Sequence, residues 1–210
     1  MDGVIFDSEV LWQRAFQLAN KQFGLQFIEE YRQSCCGKDE SLIRSELRAT
    51  HPSLDADVYR DFIVRNVAQT IEQSGATLKE GFCELVDYLK RGGYKIALAT
   101  SSDRQRAAKL FAKNNLNLNE IFDGTVFCDD VKVSKPDPEI FLKAAQKLGM
   151  APCECIVLED SLNGLLAARL GGFASIMVKD LIEPDENAKQ TCKFIANNLG
   201  EVITFLQSVK

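Results

Sequence analysis

The spacing of apolar and polar positions changes character near residue 76. Before that point it is helical. Ser8 is a plausible N-cap and Glu9 follows it, and then Leu11, Trp12, Ala15, Phe16, Leu18, Ala19 and Phe23 recur at helical intervals. Gly24 ends this run. Leu42, Ile43 and Leu47 suggest another helix, and residues 58–71 a further one. Nothing in this part alternates as a strand would. Beyond residue 78, a helix is predicted over 82–90 and is stopped by Gly92 and Gly93. Residues 94–99 form an apolar run of strand length. A helix follows over 103–113, a strand over 124–127, and a helix over 138–148 with Asp137 as its cap and Pro138 in its first position. A strand over 156–158, a helix over 162–170, a strand over 174–178 and a closing helix over 198–208 complete the pattern.

Short apolar strands separated by helices of about ten residues imply βα units and a parallel sheet. The expected fold class is therefore α/β: a Rossmann-like parallel sheet with helices on both faces, interrupted by an inserted all-α segment. Open sheets of this kind bind ligands beyond the carboxyl ends of their strands. Thr100 and the Glu159-Asp160 pair fall at such ends, and Lys135 follows the strand at 124–127 after a loop.

Composition narrows the class. The chain has 210 residues, 46% hydrophobic and 26% charged, as expected of a globular protein with a substantial core. A net charge of −5 without Lys/Arg blocks argues against nucleic acid as a partner. No 18-residue apolar run indicates a membrane span, and residues 2, 7 and 9 are acidic where a signal peptide would be basic. Seven cysteines, an odd count, read most simply as thiols in a reducing, cytoplasmic setting. Cys153 and Cys155 lack the second pair that a structural zinc site needs. His51, before Pro52, reads as a loop residue.

Taken singly, the polar motifs are bland. Thr100-Ser101-Ser102 can simply cap a helix, Lys135-Pro136-Asp137-Pro138 can be a turn, and Glu159-Asp160-Ser161 can be a capped helix start. Together they match the needs of phosphoryl transfer: donors for phosphate oxygens, a fixed positive charge, and carboxylates for Mg²⁺.

The order and wording of four segments resemble the haloacid dehalogenase superfamily, in particular its β-phosphoglucomutase-like phosphatases. The segments are residues 2–9 (DGVIFDSE), 96–102 (IALATSS), 134–138 (SKPDP) and 158–164 (LEDSLNG). The resemblance implies a Mg²⁺-dependent phosphatase acting on a small phosphorylated sugar or related metabolite through an aspartyl-phosphate intermediate. A sugar-phosphate mutase using the same site, or a non-catalytic phosphate-binding protein, remain as alternatives. It implies Asp2 as general acid and base and, through its carbonyl, a metal ligand. Thr100, with Ser101 and Ser102, would bind phosphate; Lys135 would neutralise charge; Glu159 and Asp160 would serve Mg²⁺. Residues 1–9 and 76–210 would form the core and 10–75 a helical cap. In the cap, the stretch 37–41 resembles a specificity loop, where Lys38 either touches substrate or faces solvent.

One departure stands out. In this family an Asp nucleophile precedes the position of Met1, at the end of a first, central strand. Neither is in this sequence. A parallel sheet lacking its middle strand would leave unpaired backbone groups and an apolar slot, at about 1–3 kcal/mol per unpaired group. The expectation is that the 210-residue chain alone is inactive. An upstream start is then the simpler account, and a fragment or degenerate gene the alternative.

Overall fold

The computed structural model describes residues 1–26, 29–35, 38 and 40–209, apart from the side chains of residues 29, 30, 33 and 187. The elements run β1 (Phe6–Asp7), α1 (Glu9–Phe23), α2 (Glu29–Ser34), α3 (Glu40–Thr50), α4 (Ala56–Ser74), β2 (Thr77–Leu78), α5 (Phe82–Arg91), β3 (Ala97–Ala99), α6 (Arg104–Lys113) and α7 (Leu118–Ile121). They continue with β4 (Gly124–Val126), α8 (Glu139–Leu148), β5 (Ile156–Glu159), α9 (Leu162–Leu170), β6 (Ala174–Val178), α10 (Glu186–Thr191), β7 (Phe194–Ala196) and α11 (Leu199–Ser208).

The α/β character expected from the sequence is what the chain folds into. β3 pairs with β4, and β5 with β6 and β6 with β7, all in parallel. Alternation along the strands feeds two apolar layers. Leu98, Ile176 and Val178 pack with α5, α6 and α11 on one side. Ala97, Ala99 and Val157 pack with α8 and α9 on the other, where Ile140, Phe141, Ala144 and Ala167 are buried. Each large side chain fully withdrawn from water contributes about 1.5–3 kcal/mol.

Helices α1–α4 form the segment before residue 75. Tyr59 is its buried centre, with Phe16 and Phe23 meeting its ring edge-on at 6.0 and 5.4 Å. Its hydroxyl donates to Asn20 Oδ1 at 2.9 Å, so the one polar atom of the ring is satisfied. Asp55 caps α4 by accepting from the N–H groups of Asp57 and Val58. The chain enters and leaves this segment through β1 and β2, an antiparallel ribbon pairing Phe6 with Leu78 and Asp7 with Thr77. Just beyond α4 the chain meets the α/β part, where Asn114 at the end of α6 donates to the carbonyl of Ala76.

Several boundaries differ from the sequence reading. The run 94–99 is strand only over its last three residues. Helix α8 begins at Glu139, with Pro138 at its cap, one place later than predicted. Asp137 still serves the helix start by accepting from the Glu139 N–H. The ribbon β1–β2, the short helices α2, α7 and α10, and strand β7 were not foreseen. The loop carrying Lys135 is held at its root by Glu139, whose Oε2 accepts from the N–H groups of Lys132 and Val133 at 2.8 and 3.0 Å. Lys143 pairs with the same carboxylate at 2.6 Å.

Two outcomes are expected. Phe111 is 1% exposed and meets Phe6, Phe82 and Phe122 edge-on. Phe111→Ala should therefore cost about 3–5 kcal/mol in urea unfolding; a loss below about 1 kcal/mol would contradict this packing. The Lys143 ion pair, then the bonds from Val133 and Lys132, hold the Glu139 carboxyl down at about 2 against its ordinary 4.5. Because the folded value is the lower one, its stabilising contribution is present above pH 4.5 and is lost as pH falls toward 2. An NMR titration giving an ordinary midpoint for Glu139 would refute this.

Candidate active site

Two elements of irregular backbone make the site possible. The first is the turn at residues 1–5, where the Met1 carbonyl accepts from the N–H groups of Ile5 and Phe6 at 2.7 and 3.1 Å. Gly3 adopts φ +71° and lies against two carboxylates. A Cβ there would stand 2.1 Å from Asp160 Oδ2 and 3.1 Å from Asp180 Oδ2, so only glycine lets the turn approach them. The second is the β5–α9 turn. Ser161 caps α9 by accepting from the Gly164 N–H at 3.1 Å, and its hydroxyl donates to Glu159 Oε1. A Cβ at Gly164 would stand 1.7 Å from Glu159 Oε1, so this glycine makes room for the Glu159 side chain.

Lys135 and Glu159 form the centre. Their 2.7 Å ion pair is buried on both sides, at 8% and 6% side-chain exposure. Glu159 Oε2 also accepts from the Asp160 N–H at 2.8 Å. Burial alone would raise the Glu159 carboxyl, but the Lys135 ammonium and the Met1 amino group outweigh it and hold it at about 2. Asp160 goes the other way: burial and the adjacent Glu159 charge push its carboxyl well above the ordinary range. The Met1 amino group is itself buried in the field of Asp2, Glu159, Lys135 and Asp160, and burial lowers its pKa.

Asp2 sits beside this pair. Its Oδ1 accepts from Ser8 Oγ at 2.5 Å and Arg106 Nη2 at 2.6 Å. Its Oδ2 accepts from Ser102 Oγ at 2.8 Å and Arg106 Nη1 at 2.9 Å. Burial would raise the Asp2 carboxyl; the Arg106 guanidinium, the Met1 amino group and the Ser8 hydroxyl reverse that and hold it well below the usual carboxylate range. Arg106 in turn lies 5.6 Å from the Trp12 ring centroid, and Arg60 lies 5.9 Å from the same centroid. One aromatic ring of α1 thus touches a guanidinium from α6 and another from α4.

Thr100 is buried at the end of β3, and its hydroxyl accepts from the Ser102 N–H at 3.1 Å. Ser101 is exposed at the same turn. The structure therefore links Asp2, Thr100 and Ser102 through one set of hydrogen bonds, and Lys135, Glu159 and Asp160 through another. Lys38 joins neither set: its ammonium pairs with Glu46 at 2.8 Å. Gly37 and Asp39, its neighbours in the suspected specificity loop, lie outside the described residues.

The sequence reading missed three groups. Arg106 stands on the first turn of α6, where a cation at a helix start has no obvious signal. Ser8, read only as a helix cap, makes no side-chain capping bond and serves Asp2 instead. Asp180 follows β6 at the same rim and was legible by the rule that singled out Thr100 and Glu159. It pairs with Lys79 at 2.6 Å through Oδ1, while Oδ2 is buried without a hydrogen-bond partner. Among the described residues, no three acidic, histidine or cysteine side chains converge into a ready cation cage. Two carboxylates, Asp160 and Asp180, do converge on Gly3. The described cysteines are all free.

The sequence profile of haloacid dehalogenase-like hydrolases matches residues 1–172. A phosphorylated carbohydrates phosphatase of Thermotoga maritima is 32% identical over 179 residues, covering 84% of this chain and 81% of that protein. The fructose-1-phosphate phosphatase YqaB of Escherichia coli is 30% identical, covering 85% and 93%. Among solved structures, a putative β-phosphoglucomutase from Thermotoga maritima superposes with a TM-score of 0.76 at 25% identity, covering 100% of this chain and 97% of that one. CbbY from Rhodobacter sphaeroides, solved with phosphate, gives a TM-score of 0.80 at 24% identity and shares the fold over 96% of this chain and 93% of its own. With most of its length matched by the family profile, this chain belongs to the haloacid dehalogenase-like hydrolases.

Proposed function

We propose that the chain carries the phosphate site of a Mg²⁺-dependent phosphatase, a phosphoric monoester hydrolase acting on a small phosphorylated sugar or related metabolite. The observation that carries this reading is the buried Lys135 ammonium at the strand ends, paired with Glu159. A buried ammonium beside hydroxyl donors and carboxylates suits a doubly charged phosphoryl group. The curated relatives with phosphatase names support hydrolysis over return of the phosphoryl group to the sugar.

In this reading Thr100, with Ser101 and Ser102 at the start of α6, donates to the phosphate oxygens, and Lys135 neutralises them. Glu159 acts through Lys135, whose ammonium it orients. Asp160 and the Asp2 carbonyl hold Mg²⁺, with Asp180 beside them. The fit to a cation rests on the partnerless Asp180 Oδ2 and on the crowding that raises the Asp160 carboxyl. Mg²⁺ keeps several waters, so few protein ligands suffice. When bound, it would supply charge stabilisation to the phosphoryl oxygens. Asp2 protonates the leaving oxygen and then activates water, which requires Arg106 to release the carboxylate it now clamps. The attacking carboxylate of the aspartyl-phosphate route belongs one residue ahead of Met1. Helices α1–α4, residues 10–75, close over the substrate as a cap and exclude water. Lys38 contacts the non-reacting part of the substrate only if it leaves Glu46.

No helix among the described residues is long and apolar enough to cross a membrane. Free thiols at every described cysteine support a cytoplasmic setting. The net charge of −5 supports a small metabolite over nucleic acid.

A form of the protein with Asp placed directly before Met1, on an apolar upstream strand, should hydrolyse p-nitrophenyl phosphate or a hexose phosphate with Mg²⁺. Turnover should vanish in excess chelator and in Asp160→Ala, while circular dichroism stays unchanged. Activity undiminished by chelator would sink the metal assignment. Covalent phosphoryl transfer needs that carboxylate, so the purified 210-residue chain should show no turnover. Clear Mg²⁺-dependent hydrolysis by it, free of host phosphatase, would mean the nucleophile is misassigned.

A further inference from the structure

Asp180 directly follows β6, and the sheet still holds its neighbour: the Lys179 N–H donates to the Ala196 carbonyl at 2.8 Å. The Asp180 side chain is 9% exposed. Its two oxygens have different surroundings. Oδ1 accepts from Lys79 Nζ at 2.6 Å, while Oδ2 is buried without a hydrogen-bond partner. Leaving a buried carboxylate oxygen unpaired is costly, so an oxygen held in that state points to a ligand.

Oδ2 faces the Gly3 turn. The place a Gly3 Cβ would take lies 2.1 Å from Asp160 Oδ2 and 3.1 Å from Asp180 Oδ2, so both oxygens border one small space beside the Gly3 backbone. Like charges that close oppose each other's ionisation, and a cation between them removes the opposition. Three neighbouring carboxylates have cations of their own: Glu9 pairs with Arg32, Asp2 with Arg106 and Glu159 with Lys135. Asp180 also lies outside the four motif segments and beyond residues 1–172, the part matched by the family profile.

Lys79 is as firmly placed as Asp180. Its N–H donates to the Ile5 carbonyl at 2.8 Å, which carries the pairing of β1 with β2 one step further. Its carbonyl accepts from the Phe82 N–H where α5 begins. The ammonium thus holds Asp180 Oδ1 from an anchored backbone.

We propose that Asp180 is a second carboxylate ligand for a hard divalent cation at Asp160, and that Lys79 is its positioning residue, occupying Oδ1 so that Oδ2 alone is offered to the cation. This role rests on the metal-dependent reading above and extends it to a pair of residues outside the motifs. Coordination through one oxygen bears on ion selectivity. Mg²⁺ takes oxygens in near-octahedral geometry at about 2.0–2.1 Å, whereas Ca²⁺ takes more of them at about 2.3–2.6 Å and accepts bidentate carboxylates. A carboxylate pinned at one oxygen suits the smaller ion. Freed from Lys79, Asp180 could offer both oxygens, and Ca²⁺ would gain.

Mn²⁺ reports the site without turnover, because its free-ion electron paramagnetic resonance signal falls as it binds. Titrated into the full chain, Mn²⁺ should bind at one site, and Mg²⁺ should displace it. Asp160→Asn should abolish this binding. Asp180→Asn should weaken it at least about tenfold, with circular dichroism unchanged. Lys79→Met should lower the preference for Mg²⁺ over Ca²⁺ in displacing Mn²⁺ by at least about tenfold. Lys79→Arg should restore that preference; an ion pair with a merely structural role would not move it. If Asp180→Asn strands Lys79 and unfolds the chain, the same weakening is read between Lys79→Met and Lys79→Met/Asp180→Asn, which strands no charge. Unchanged Mn²⁺ affinity in Asp180→Asn, with loss in Asp160→Asn, would leave the metal to Asp160 and overturn the ligand role of Asp180. Unchanged ion preference in Lys79→Met would overturn the positioning role. A chain that binds no Mn²⁺ would overturn the metal-dependent reading itself, and the role of this pair with it.

Discussion

The buried ion pair between Lys135 and Glu159 holds this structure's functional end together. Lys135 arrives on the loop after β4 and Glu159 ends β5, so the pair ties one half-sheet to the other across the site. Two charges at this depth stabilise each other only if their remaining hydrogen-bonding capacity is met. It is met here: Glu159 accepts from Ser161 and from the Asp160 N–H, and the Lys135 ammonium also stands 4.8 Å from the Phe141 ring. Removing either partner would strand a buried charge at about 3–5 kcal/mol, a large share of a domain's total stability. The demand spreads into sequence. Gly164 must be glycine to admit the Glu159 side chain, Ser161 must both cap α9 and donate to Glu159, and Glu139 must hold the root of the loop from which Lys135 reaches in.

A second charge pair sets the state of the site. Asp2 is clamped through both oxygens by Arg106, and Arg106 leans on Trp12, which also faces Arg60. Arg60 is tied to Glu40 at the start of α3 by a two-pronged pair. A continuous series of contacts thus runs from the Asp2 carboxylate to the start of α3. The Trp12 ring of α1 is thus the link between the Asp2 clamp and Arg60 of α4.

Most of the architecture was legible in the sequence because it rests on strong local signals. Helix α1 follows its apolar periodicity and ends at Gly24, whose left-handed backbone closes it, and β6 matches its apolar run residue for residue. What failed was too short or too dependent on partners. β1 and β2 have two residues each, fewer than any alternation can reveal, and β7 is a three-residue edge strand. The run 94–99 forms only three residues of strand; ahead of it, Ile96 is held by Asp123 alone, whose side chain accepts from its N–H and whose own N–H donates to its carbonyl. In the site, the motif residues were visible because they sit at strand ends. Arg106 was not, since its meaning comes from Asp2, 104 positions away in sequence. Lys38 could be read either way from sequence alone, and the fold gives it to Glu46.

The two charge pairs and the split sheet bear on one point in space. Met1 lies where the Lys135–Glu159 pair, the Asp2 clamp and an apolar cavity meet. Its amino group is buried there, and burial lowers its pKa. Asp160 shares that burial and stands beside the Glu159 charge, and both raise its carboxyl, while Asp180 Oδ2 is buried without a hydrogen-bond partner. Burial and a neighbouring like charge disfavour ionised carboxylates, and a divalent cation between two of them would favour the charged form again.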